Sequence, residues 1–191
     1  MKQQTQIKVL VLDVDGTLTD GKIYMGQSGE LMKAFHVKDG YGICKILPEI
    51  PVDWTGCPKT IKPIPRGIVP VILTARNSQI LEHRCQELGI IHVYQGCGEK
   101  AAMVEKIAND FGLTVRDETG RYCEISYMGD DLVDLEAIRM CRFTACPADA
   151  AESVREAVEY ICGKTGGDGA VREWIEWLAA YHQSHLSELE S

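Results

Sequence analysis

The chain is poor in positive charge: 20 Lys and Arg stand against 28 Asp and Glu in 191 residues, a formal balance of −8. It has no basic stripe and no run of five like charges. A nucleic-acid backbone or an anionic membrane surface is therefore excluded as a partner, and an anionic ligand would need a local cation or a metal. Long apolar runs are missing as well. The stretch nearest the N-terminus, residues 7–14, contains Lys8 and is too short for a signal peptide or a membrane span, so the expected location is cytoplasmic. The 8 cysteines, at 44, 57, 85, 97, 123, 141, 146 and 162, form no C-x-x-C pair and no zinc spacing. In a reducing compartment they are expected to act as small buried hydrophobes. Internal repeats and low-complexity tracts are absent. Of the 7 prolines, all but Pro147 lie between Pro48 and Pro70.

What is present is a 45% apolar composition, enough to fill the core of a chain this long. Strand-like runs recur at 7–14, 68–75, 90–96, 124–130 and 143–149, with helix-like segments at 40–47, 77–88, 99–111 and 131–141. Gly89 and Gly112 stop two of those helices. Strands alternating with helices imply βαβ units, and continuous apolar runs imply a parallel sheet covered on both faces. Residues 21–35 read as a β-hairpin turning at Gly-Gln-Ser-Gly. The proline-rich stretch 48–67 reads as an inserted loop, which βαβ geometry puts at the amino edge of the sheet. The tail 163–191 joins the glycine-rich GKTGGDG to an amphipathic helix over 170–182.

Ligands of open α/β sheets sit outside the carboxyl ends of the strands, so the residues closing each run matter: Asp13, Thr74, Gly96 and Asp130. Asp13 and Asp15 would share one side of an extended chain, and Gly16 lets backbone approach whatever they hold. Carboxylates facing one point repel, which implies a shared proton or a metal. With Asp130 across the sheet edge, Mg²⁺ fits: few carboxylates, some water, and phosphate oxygens from a substrate. The competing reading gives Asp131 a helix cap and Asp15 a turn. Lys100 falls in the first turn of its helix, where the macrodipole disfavours a cation, so it either reaches an anion at the sheet edge or is solvated. Thr74 could donate to the same anion, or owe its place to β propensity.

DVDGT (13–17), the Thr74 strand end, Lys100 and GDDLVD (129–134), in that order, resemble the four motifs of the haloacid dehalogenase superfamily. Within it, DGTLTDG, G-E-x-x-K-x-F, VKDGYGI, LTARNS and GGDGAVRE resemble the capless 3-deoxy-D-manno-octulosonate 8-phosphate phosphatases over nearly the whole chain. The resemblance implies one α/β hydrolase domain over 1–191: a three-layer Rossmann-like parallel sheet with a hairpin flap (22–35) and no cap domain. It implies Asp13 as nucleophile and Asp15 as general acid and then base. Mg²⁺ is expected on Asp13, Asp130 and the Asp15 carbonyl, with Asp131 and Asp134 in support. Thr74 and Lys100 are expected on the phosphoryl oxygens, and the substrate to be a small keto-sugar acid phosphate of eight or nine carbons. Gly16, Ala75, Arg76 and Arg172 are the further substrate-contact candidates, the two arginines having a plain surface role as the alternative; His36 and Lys38 are additional cations nearby. Such relatives form tetramers in which hairpin and tail of neighbouring chains complete each site, roles that 22–35 and 166–173 would fill. The proline-rich stretch departs from the family pattern.

Four other readings compete. A phospho-receiver domain also gathers aspartates, a threonine and a lysine, but its acidic pair follows the first strand and its acceptor the middle one, the reverse of the order here. GCGEKA (96–101) imitates a dinucleotide fingerprint without an acidic residue at the next strand end. GKTGG (163–167) is half a phosphate loop, with Val158 where its first glycine belongs. A silent interaction domain would not need the complete acidic set.

Overall fold

The computed structural model describes residues 6–58, 61 and 65–187. Within them a six-stranded sheet runs in the order β5-β4-β1-β6-β7-β8, parallel throughout. Its strands are β1 (Val9–Leu12), β4 (Val69–Leu73), β5 (His92–Tyr94), β6 (Tyr122–Met128), β7 (Cys141–Cys146) and β8 (Tyr160–Ile161). The hairpin β2 (Tyr24–Gly26) and β3 (Gly29–Met32) forms a separate antiparallel pair. The fold is an α/β Rossmann-like one.

Alternation along β1 divides the core. Leu10 and Leu12 face one layer, with α2 (Gln79–Leu88) and α6 (Ala170–Ser187), where Trp174, Ile175 and Leu178 are fully buried. Val9 and Val11 face the other, with α3 (Lys100–Phe111) and α4 (Leu135–Met140). A central strand buried on both faces must be apolar throughout, which is why VLVL reads as a continuous run. α2 starts at Ser78, whose hydroxyl accepts from the Leu81 N–H, and ends at Gly89.

Several expectations shift. The helix placed at 40–47 is α1 (Val37–Tyr41), then a π-helical turn over Gly42–Ile46 and a 3-10 turn over Leu47–Glu49. Gly40 and Gly42 weaken a regular helix, and Pro48 ends it. The helix placed at 131–141 opens as a 3-10 turn, Leu132–Asp134. Strand β8 and the short α5 (Glu152–Arg155) had too few residues to show a pattern.

Between Thr74 and Lys100 the chain forms only α2 and β5, so the described residues there hold no cap domain. The proline-rich stretch includes 59, 60 and 62–64, which lie outside the described residues, as do 188–191 of the tail. Its described part packs at the amino edge: Trp54 is 6% exposed, donates from Nε1 to the Gly67 carbonyl at 3.1 Å, and meets the Phe111 ring at the end of α3. Trp54 thus belongs to the core.

Candidate active site

β1 and β6 are neighbours in register, Leu12 beside Met128, so the residues that follow them meet at the carboxyl edge. Asp13 leaves β1, and its N–H donates to the Met128 carbonyl at 3.0 Å. Asp130 follows β6, and Thr74 follows β4 on the other side of β1. Asp13, Asp130 and Asp134 present oxygen atoms within 4.8 Å of one another.

Lys100 enters this group from the start of α3. Its Nζ lies 2.7 Å from Asp13 and 2.7 Å from Asp134, with its side chain 1% exposed. Burial opposes its charge, but the two carboxylates outweigh burial and the helix dipole and raise its pKa. Asp13 is pushed up to about 6, by burial first and then by Asp134, with Lys100 pulling the other way. Asp130 is pushed up to about 8, by burial and then by the Asp13 and Asp134 charges. Crowded carboxylates that keep protons so readily are ones a divalent cation would relieve.

The carboxylates of the group divide by partner. Asp134 is fully buried and already receives Lys100, the Tyr127 hydroxyl at 2.7 Å, and the N–H groups of Asp130 and Asp131. That leaves Asp13 and Asp130 as the carboxylates with oxygens to offer a hard cation, and an all-oxygen set suits Mg²⁺. Space for Asp130 depends on Gly16. A Cβ on Gly16 would sit 2.0 Å from an Asp130 oxygen, and its φ of +86° is one that side chains avoid. Asp131 does not join the group: its exposed carboxylate accepts from the Leu132 N–H, the capping role. The resemblance implied metal support from Asp131, whereas a side chain at an N-cap position turns back to its own helix, the role the competing reading gave it.

A second cluster surrounds Asp15. Lys33, at the end of the hairpin, pairs with Asp15 and lies 3.1 Å from Glu30. Arg76 Nε lies 3.6 Å from Asp15, and an Nη lies 3.5 Å from Glu30. Ala75 is exposed between Thr74 and Arg76. Glu30 and Lys33 are the charged residues of the hairpin motif G-E-x-x-K-x-F, to which the sequence attached no role, and Tyr127 was not singled out. The spacing of the two opposite charges, three apart at the hairpin's second strand, was the available signal.

Arg172 goes elsewhere. Its guanidinium pairs with Glu176 at 2.7 Å and lies over the Tyr41 ring, in a cleft with His36, Lys38, Lys164 and Asp168. The glycine tail does reach the loop that follows β1, since a Cβ on Gly166 would come within 1.9 Å of the Gly16 carbonyl oxygen.

An acidic residue off the first strand, a second acidic group off its neighbour and a buried lysine between them, on this parallel sheet, define a hydrolase of the haloacid dehalogenase type. No protein-family model matches the chain. Curated relatives do. It is 34% identical over 179 residues to the 3-deoxy-D-manno-octulosonate 8-phosphate phosphatase of Salmonella typhi, covering 93% of this chain and 82% of that one. The enzyme of the same name from Escherichia coli K12 is 35% identical over 173 residues, 90% of this chain and 79% of that one. The chain belongs to the 3-deoxy-D-manno-octulosonate 8-phosphate phosphatase family. Among solved structures, the cobalt-bound phosphatase of Haemophilus influenzae superposes with a TM-score of 0.77 at 33% identity, over 93% of this chain and 90% of that one. The Moraxella catarrhalis phosphatase, in complex with magnesium, phosphate and the sugar acid KDO, gives 0.75 at 32% identity, over 96% and 93%.

Proposed function

We propose that the chain is a Mg²⁺-dependent phosphomonoester hydrolase acting on 3-deoxy-D-manno-octulosonate 8-phosphate through an aspartyl-phosphate. The observation that carries this is Lys100 buried between Asp13 and Asp134, beside Asp130, in a chain of that phosphatase family. Asp13 attacks phosphorus, its oxygen–phosphorus bond forms, and the bond to the sugar oxygen breaks. Asp15 protonates that leaving oxygen. It then takes a proton from water as the water oxygen bonds to phosphorus, and the Asp13 carboxylate is released. Lys100 and the Thr74 hydroxyl hold the transferring oxygens, and Lys100 keeps Asp13 ionised. Mg²⁺ held by Asp13, Asp130 and the Asp15 carbonyl would neutralise charge where an anionic nucleophile meets an anionic phosphate.

Assembly as a homotetramer, with neighbouring chains completing each site, belongs to the same proposal. Support comes from hairpin side chains bare of cover, Ile23 (51% exposed), Met25 (63%) and Leu31 (66%), joined by Val37 (79%). Among the described residues no helix is long and apolar enough to cross a membrane. A cytoplasmic location is supported by the 8 cysteines, all of them free thiols.

The test is phosphate release from the eight-carbon substrate, its nine-carbon analogue and hexose phosphates, with Mg²⁺ or a chelator. Turnover of the eight-carbon ester that needs Mg²⁺ and vanishes in Asp13→Asn is expected. Preference for the nine-carbon ester would reassign the substrate, and a stable phospho-aspartate without turnover would turn the reading into a switch domain.

A further inference from the structure

The geometry points to Glu30, on the hairpin, as a positioning residue that fixes Lys33 and Arg76 for the leaving group. This rests on the phosphatase reading. Glu30 Oε1 faces both cations, 3.1 Å from Lys33 Nζ and 3.5 Å from an Arg76 Nη, while Oε2 accepts from the Ser78 hydroxyl. Ser78 is the N-cap of α2, so one carboxylate ties the flap to the scaffold. The Lys33 side chain is 3% exposed, which separates this cluster from a surface ion pair of negligible worth.

In this arrangement Asp15 is the other counterion of the two cations. A general acid cannot keep that post, because its carboxyl must turn to the leaving oxygen and release a proton there. When it does, Lys33 and Arg76 are left to Glu30 and to the oxygens of the sugar acid. The Arg76 Nε–H is buried and has no hydrogen-bond partner, a donor free for such an oxygen. Glu30 thus sets where the cations stand in the substrate complex, and its negative charge keeps them from holding Asp15. Apart from Asp15 and Glu30, no acidic side chain pairs with either cation among the described ion pairs.

The substitution Glu30→Gln preserves shape and removes the charge. The measured quantity is the ratio of kcat/KM for 3-deoxy-D-manno-octulosonate 8-phosphate to that for p-nitrophenyl phosphate, whose phenolate departs without a proton and carries no sugar acid. The ratio is expected to fall about tenfold or more in Glu30→Gln, and about threefold in Ser78→Ala, which removes the tether together with the N-cap of α2. In an Arg76→Ala background the Glu30→Gln effect should shrink, since part of its route is gone. Thermal midpoints of the variants identify any that fail to fold, and Ser78→Ala then carries the test. An unchanged ratio, with both substrates losing rate together or neither losing any, overturns the positioning role. A wild-type protein that hydrolyses neither ester defeats the phosphatase reading before any variant is compared, and the positioning role falls with it.

Discussion

Replacing Lys100 by Met tests the centre of the site. Methionine is close in volume, so the cavity contribution is small and the loss is electrostatic. Lys100 lies 2.7 Å from both Asp13 and Asp134, whose side chains are 7% and 0% exposed. Removing the cation leaves two buried carboxylates, Asp134 with the Tyr127 hydroxyl and two N–H groups and Asp13 with the Val14 N–H. Breaking a buried pair from one side costs about 3–5 kcal/mol. At about 2–4 °C per kcal/mol for a chain of this size, the midpoint should drop by roughly 6–20 °C. The loss must also depend on pH. Lys100 lowers the Asp13 pKa, so without it Asp13 moves above its value of about 6 and is protonated over a wider range. A raised carboxylate pKa gives stability that is present at low pH and disappears as pH rises through it. The deficit should therefore be largest above about pH 8 and shrink toward about pH 5. Urea unfolding of both proteins in chelator across that range measures it. A loss below about 1 kcal/mol, or one equal at every pH, would refute the buried ion-pair account. Turnover should fall about 10²–10³-fold, as expected for losing one donor to the transition-state charge.

Two other outcomes follow from the same structure. In chelator, burial and the neighbouring carboxylates hold Asp130 up to about 8, so the metal-free protein loses stability as pH rises from the ordinary carboxylate range through that value. Mg²⁺ replaces the protons, and the thermal shift it causes should be larger at about pH 8.5 than at about pH 5.5; a shift independent of pH would remove Asp130 from the cation site. Trp54→Ala should cost about 3–5 kcal/mol, because Trp54 is core although it lies in the inserted stretch, while the Michaelis constant stays the same. A rise in that constant would mean the stretch reaches the carboxyl edge.

Asp13, Thr74, Lys100 and Asp130 were legible because each closes or opens an element whose type the sequence fixes by periodicity, and a parallel sheet brings strand ends to one edge whatever the details. Other residues depended on direction in space. Asp131 and Asp134 are near neighbours in one acidic run, yet one caps its own helix in solvent and the other is buried beneath Lys100. No spacing rule separates them. Arg76 and Arg172 were equal candidates from the sequence, and only packing put the first beside Asp15 and turned the second to Glu176.

The amino-acid sequence by itself determined the layered α/β fold, the edge at which chemistry is placed, and the acidic and cationic residues available there. Those follow from local rules: burial on two faces makes strands continuously apolar, and helix ends select their caps. The tertiary structure decided which carboxylates share a proton or a cation, that Trp54 is core, and that Glu30 reaches Ser78 across 48 positions of chain. Such contacts join segments distant in sequence, and their energies depend on burial and ångström-scale distance, which exist only once the chain has closed on itself.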